Sequence, residues 1–285
     1  MGPTASGKTA AAIDLALRGP YEIISVDSAM IYREMNIGTA KPSLEELSAA
    51  PHRLIDICDP AESYSVGRFL EDVASEIDDI IAHDKIPLLV GGTMMYFYQL
   101  QQGINNIPSS EPLIRERIAQ EAVQKGWSAL HAQLKTIDPV IAERLHPHDA
   151  QRISRALEIY EQTGKPLSVW QKEQAVAATD YQFENIILAP TNRAILHERI
   201  EKRFDVMLAG GFLEEVERLH ARGDLDMNKP SIRSVGYRQA WDYIEGHIDF
   251  NTMREQAIVA TRQLCKRQFT WLRRWEGAKW VESLK

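Results

Sequence analysis

The chain has 285 residues, 44% apolar and 26% charged, which suits one large domain or a main domain with an insert and excludes a disordered chain, a collagen repeat or a coiled-coil rod. Its net charge of −7 argues against a general nucleic-acid coat. No apolar run approaches the ~20 residues of a membrane span, no signal peptide opens the chain, and Cys58 and Cys265 stand far apart without a His/Cys cluster, so a cytoplasmic protein without disulfides, a cysteine zinc site or a membrane partner is expected.

In chain order, Gly2 to Thr9 is a Gly-rich turn, followed by a helical run through Leu17. Glu22 to Asp27 reads as a buried strand. Ser65 to His83 has helical spacing at Phe69, Val73, Ile77 and Ile80. Ile86 to Val90 is a second apolar strand, closed by Gly91-Gly92. Strands alternating with helices predict a parallel α/β sheet. Residues 111–178 contain no strand pattern and several helix starts: Glu111-Pro112, Ser128, Asp138-Pro139 and Asp149, with stops at Gly126 and at Gly164 to Pro166. They predict an inserted all-helical domain at 111–178, flanked by an α/β core made of 1–110 and 179–285. Ile186 to Ala189 returns as a strand, and the chain from Thr191 on is mostly helical. The strand that ordinarily delivers such a Gly-rich turn does not precede Gly2. We expect the true start to lie upstream or the N-terminus to be truncated, and a sheet without that strand to lose ladder hydrogen bonds.

Gly2-Pro3-Thr4-Ala5-Ser6-Gly7-Lys8-Thr9 matches G-x-x-x-x-G-K-[ST] in full. The glycines let backbone N–H groups wrap phosphate oxygens, and the helix N-terminus adds partial positive charge. Lys8 supplies a mobile cation and Thr9 a hydroxyl for Mg²⁺. The motif specifies a di- or triphosphate and does not say whether it belongs to a nucleotide. Asp27 ends the first strand, on the sheet edge where α/β ligands bind. It is placed as a general base, or alternatively as an N-cap or an outer Mg²⁺ carboxylate. Gly91-Gly92-Thr93 ends the second strand on the same edge, for close backbone approach or merely a tight turn.

Gln151, Arg152 and Arg155 share one helix face, able to grip phosphates or simply to meet solvent. Charge is uneven along the chain: residues 1–110 hold 7 basic against 15 acidic side chains, and 228–274 hold 9 against 4. That block carries Arg233 and Arg238 around Tyr237, then Arg262, Lys266 and Arg273 on one stripe and Leu264, Trp271 and Trp275 on another. Basic residues among aromatics suit phosphate contact with base stacking, while the tryptophans alone would suit a core. A local excess suffices for a polyanion, since such contacts act within ~8–10 Å. Arg199, Lys202 and Arg203 form a further cluster that Glu198 and Glu201 could neutralise. His52 could be catalytic or simply capped.

Seven motifs in this order resemble the bacterial tRNA dimethylallyltransferase (isopentenyltransferase) family: Gly2 to Thr9, Ser25 to Ala29, Asn36 to Pro42, Pro51 to Asp56, Gly91 to Thr93, Ser231 to Arg238 and Lys266 to Arg273. The resemblance spans nearly the whole chain. It implies a P-loop kinase-like core with an inserted helical domain that clamps an anticodon arm. It implies transfer of a dimethylallyl group from dimethylallyl diphosphate to N6 of the adenosine 3′ of the tRNA anticodon, with Mg²⁺ assisting departure of diphosphate. Gly2 to Thr9 would then hold diphosphate, Asp27 would take the N6 proton, and Arg203 would help hold the diphosphate. The implied tRNA contacts are Asp27, Ser28, Ala29, Met30, Thr93 and Arg115, then Gln151, Arg152, Ile153, Ser154 and Arg155. They continue with Arg233, Ser234, Val235, Gly236, Tyr237 and Arg238, and with Lys266, Arg267, Gln268, Phe269, Thr270, Trp271, Leu272 and Arg273. The missing first strand and the lack of a zinc finger of the kind on eukaryotic relatives are departures that remove no matched site. A monomer is expected.

Two competing functions remain at this level. A small-molecule kinase of the same core would put ATP in the loop and use Asp27 on a hydroxyl, leaving the basic–aromatic block unused. A non-catalytic RNA binder would use the loop to sense a nucleotide.

Overall fold

The structure is a computed structural model that describes residues 1–103, 107–173 and 181–283. The end of the expected helical insert, 174–178, lies outside the described residues. The chain divides into two compact units, Met1–Gln99 with Tyr181–Lys285, and Leu100–Asp180.

In the first unit, β1 (Tyr21–Val26) lies between β2 (His52–Arg53) and β3 (Ile86–Gly91), both parallel to it. The run Ile23, Ile24, Val26 is fully buried, as a strand covered on both faces requires. Helix α1 (Lys8–Arg18) packs on this sheet through Ala12 and Ile13. Helix α3 (Val66–Ala82) buries Phe69, Leu70, Val73, Ile77 and Ile80, spaced to form one stripe, and Ser65 caps it by accepting from the Arg68 N–H at 3.1 Å. Between them in the chain lies the short α2 (Leu44–Ala49), closed by a Ser43/Glu46 capping box. The register Val26↔Gly91 ends β1 and β3 level. Gly91 is required there: a Cβ would fall 1.9 Å from the Val26 carbonyl oxygen.

A second sheet pairs β4 (Ile186–Ala189) with β5 (Lys279–Glu282), also parallel. The Met1 ammonium donates to the Ile186 carbonyl at 2.8 Å, and the Leu188 N–H donates to the Met1 carbonyl at 2.9 Å. Residue 1 thus sits in the ladder of β4, while β3 has no strand partner on its outer side among the described residues. Helix α4 (Met94–Gln102) follows β3, and α10 (Arg193–Ala209), α11 (Phe212–Ala221), α12 (Tyr237–Ile244) and α13 (Phe250–Leu272) follow β4. These last four pack through Leu196, Phe204, Phe212, Trp241 and Phe269, all buried.

The second unit is helical: α5 (Pro112–Lys125), α6 (Trp127–Ile137), α7 (Pro139–Arg144), α8 (Ala150–Thr163) and α9 (Leu167–Lys172). Ile118, Leu130, Leu134, Ile141, Ile153 and Leu157 form its core. Asp138 is buried and accepts from Ile141 N–H at 3.1 Å and Ser168 N–H at 2.7 Å, so one carboxylate caps α7 and anchors α9. The helix expected to open at Ser128 opens at Trp127, because Gly126 both ends α5 and caps α6. Among the described residues no helix is long and apolar enough to cross a membrane.

Candidate active site

Residues 2–7 turn tightly ahead of α1, with positive φ at Ala5 (60°) and Gly7 (81°). Gly7 offers no side chain to the first N–H groups of α1, so they remain available to an anion. The loop is held from outside. The Thr4 N–H donates to the Gln268 side-chain oxygen at 2.8 Å, and the Gln268 amide donates to the Gly92 carbonyl at 2.9 Å. One glutamine on α13 therefore ties the loop to the end of β3. Ser6 is buried with no hydrogen-bond partner for its hydroxyl. Burial is the main cause that pulls the Lys8 ammonium down to about 8, against an opposing pull from Asp27 and a further lowering by Arg203.

Asp27 and Thr93 leave the sheet side by side, as the level ends of β1 and β3 dictate. One Asp27 carboxylate oxygen accepts from the N–H groups of Ala29 (2.9 Å) and Met30 (3.3 Å). That fixes its orientation as an Asx turn does. Thr93 Oγ1 accepts from Ser28 N–H at 3.0 Å and lies 3.3 Å from the Ser28 hydroxyl. Arg203 comes from α10. Burial lowers its guanidinium, Asp27 raises it, and no ion pair among the described residues engages it. Glu201, expected to neutralise this cluster, faces elsewhere and pairs with Arg254 (3.2 Å) and Arg262 (3.0 Å).

These groups share one cavity of about 520 Å³. Thr4, Lys8, Thr9, Asp27, Thr93 and Arg203 supply its polar side, and Met94, Ile200, Met207, Leu264 and Trp271 its apolar side. A diphosphate bearing a short hydrocarbon matches that division. The same cavity is lined by Ser28, Ala29, Met30, Arg233, Ser234, Val235, Gly236, Tyr237, Arg267 and Gln268. Arg238, Lys266, Thr270 and Arg273 are exposed, and no ion pair among the described residues takes the three cations. Tyr98 meets Trp271 and Trp275 edge-on at 5.7 and 6.4 Å, so these tryptophans belong to an aromatic cluster at the surface of α4 and α13.

Several side chains expected to contact RNA are buried or engaged within the protein. Ile153 and Leu272 are fully buried and Phe269 nearly so; their side chains belong to the core and are closed to RNA. The Gln268 amide is already spent on Thr4 and Gly92. In the helical unit, the Arg155 guanidinium donates to the Pro108 carbonyl at 2.7 Å and to the Ser110 hydroxyl, and Ser154 donates to Glu158 at 2.5 Å. Arg152 pairs with Asp149 at 2.5 Å but is exposed, as are Gln151 and Arg115, the last lying 3.7 Å from Glu158. Arg262 of the expected basic stripe is engaged by Glu201. His52 faces the Ala50 carbonyl at 2.8 Å and lies outside the cavity lining.

The sequence did not disclose Glu215 or Lys41. Glu215, on α11, is buried and accepts from three backbone N–H groups at 36–38. Lys41 Nζ donates to the Tyr32 carbonyl (2.9 Å), Asn36 Oδ1 (2.8 Å) and Asp56 (2.6 Å). The available signal was the α11 stripe Phe212, Glu215, Val216, Leu219, which puts a carboxylate at a core position.

Comparison with known proteins decides the family. Residues 30–275 match the IPP transferase family and residues 1–58 the isopentenyl transferase family. The chain belongs to the IPP transferase family. Other members include a tRNA dimethylallyltransferase of Coxiella burnetii, 58% identical over 283 residues, which are 99% of this chain and 94% of that protein. The Legionella pneumophila tRNA dimethylallyltransferase is 56% identical over 283 residues, 99% of this chain and 90% of that one. Among solved structures, the tRNA isopentenylpyrophosphate transferase of Bacillus halodurans superposes with TM-score 0.71 at 35% identity, over 99% of this chain and 88% of that chain. A eukaryotic dimethylallyltransferase acting on tRNA superposes with TM-score 0.83 at 26% identity, over 100% of this chain and 73% of that chain. None of these family relationships supports the kinase alternative.

Proposed function

We propose that this chain transfers the dimethylallyl group of dimethylallyl diphosphate to N6 of the adenosine 3′ of the anticodon in tRNA. One observation carries the proposal: a phosphate loop opens into the same cavity as Asp27, with Lys8 and Arg203 engaged by no ion pair among the described residues, beside apolar side chains and a basic segment. In this reading the core is of the P-loop kinase-like type, adapted to a prenyl diphosphate, and the helical unit clamps the anticodon arm.

The chemistry follows from the charges. N6 of adenine is a weak nucleophile, so holding it in line with C1 of the prenyl group contributes as much as any acid or base. As the N6–C1 bond forms, the bond from C1 to the diphosphate oxygen breaks and the N6 proton passes to Asp27. Asp27 is already oriented by the Ala29 and Met30 N–H groups, which leaves its second oxygen for that proton. Lys8, Arg203 and the loop N–H groups take up the charge of the departing diphosphate. The Thr9 hydroxyl is a hard oxygen donor on the same cavity and would fit Mg²⁺ held chiefly by diphosphate and water. When bound, Mg²⁺ neutralises diphosphate charge. The target base must leave its stack to reach Asp27.

The test is incubation with radiolabelled dimethylallyl diphosphate, Mg²⁺ and unmodified tRNA, counting label in acid-precipitable RNA. Label in RNA that is absent with Asp27→Ala supports transfer. A folded protein that labels nothing sinks it.

A further inference from the structure

Glu215 sits on the core face of α11, 2% exposed, and does not line the cavity. One of its oxygens accepts from the N–H groups of Asn36 (2.9 Å) and Ile37 (2.8 Å). The other accepts from Gly38 N–H (3.1 Å) and from the Tyr237 hydroxyl (2.6 Å). A single buried charge therefore joins two segments that do line the cavity, the 38–39 turn and the start of α12. The fit leaves no slack: a Cβ on Gly38 would fall 2.3 Å from the Phe212 ring and 2.6 Å from the Tyr237 ring. Four donors converge on one side chain, and only an ionised carboxylate has acceptor sites for all of them. Such a group is costly to bury unless every bond is made, so the geometry is held closely.

We propose that Glu215 is a positioning residue for tRNA: it fixes the distance between the 38–39 turn and the 233–238 segment, and so the width of the wall on which the RNA seats. The diphosphate loop is held separately, by Gln268, and its geometry does not pass through Glu215. The proposal rests on the assignment of residues 233–238 to tRNA contact.

The experiment is steady-state kinetics of Glu215→Gln with both substrates, alongside Glu215→Asp and Tyr237→Phe. Glutamine puts an amide donor against two of the four donors. The expected result is a KM for tRNA raised ~10-fold or more, with the KM for dimethylallyl diphosphate changed less than ~2-fold. Glu215→Asp, which keeps the charge, recovers part of the loss. Tyr237→Phe removes one of the four bonds and raises the tRNA KM by a smaller factor, and if Glu215→Gln fails to fold, Glu215→Asp carries the test, with a tRNA KM raised above the native value while that for dimethylallyl diphosphate is unchanged. An unchanged tRNA KM, or an equal rise for both substrates, overturns the proposal. Arg233→Ala is measured beside them. If it leaves the tRNA KM unchanged, the assignment of this wall to RNA is wrong and the proposal goes with it. If it raises that KM while Glu215→Gln is silent, only the proposal fails.

Discussion

Lys8 and Asp27 face the same cavity from different elements, and their separate tasks lead to separate predictions. Asp27→Ala should lower the transfer rate by ~10²-fold or more while tRNA binding stays within ~2-fold, because a general base acts on the transition state. Equal loss of both would make Asp27 an RNA contact instead. Lys8 gives a pH signature. Its ammonium is held down to about 8 from 10.5, so it is charged at neutral pH and loses its proton as pH rises through about 8. An anion in the loop favours the charged form, so affinity must fall on the alkaline side, by up to ~10-fold per pH unit for one linked proton. The inhibition constant of inorganic diphosphate, measured from pH 7 to 9.5, should rise more steeply in the native protein than in Lys8→Met. Parallel curves would remove Lys8 from the linkage. These two residues were legible in the sequence because a fixed spacing and a strand end locate them. Arg203 was not legible from its neighbours: Glu198 and Glu201 flank it in the chain, and only the packing of α10 against α13 shows that Arg254 and Arg262 occupy Glu201.

The site depends on two strands ending at the same height. Gly91 permits this, since β1 and β3 approach so closely there that any side chain strikes the Val26 carbonyl. Gly91→Ala should cost at least ~2 kcal/mol of stability through overpacking against backbone, read as a lowered urea midpoint. A variant of native stability would show that the strands part freely. Helices α1, α3 and α8 and strands β1, β3 and β4 were legible because their apolar periods are long and their ends carry Ser, Asp or Gly signals. Strand β2 has two residues and β5 is exposed along its whole length, so neither carries a buried-strand pattern. Spacing put Gln151, Arg152 and Arg155 on one face of α8. It could not show that Arg155 is drawn inward to Pro108 and Ser110, or that Ile153 closes the helical core.

Across the molecule, the acidic total conceals a basic surface at Arg238, Lys266, Arg267 and Arg273 that no ion pair among the described residues engages. Lys266→Gln and Arg267→Gln should each weaken tRNA binding and flatten the plot of log K against log salt by up to ~0.7–0.9. An unchanged slope would place them off the interface. The charge asymmetry made this surface legible, whereas the existence of two separate sheets, of three strands and of two, was not. The Gln268 bridge links residue 4 to a helix 264 positions later and to Gly92, 176 positions away. Contacts of such sequence separation form late, after the intervening chain has collapsed. During synthesis, the phosphate loop stays without the Gln268 brace until α13 has been made and docked. A nascent chain that lacks α13 therefore holds the loop without its side-chain brace, and the geometry of the cavity is complete only once the last helix is in place.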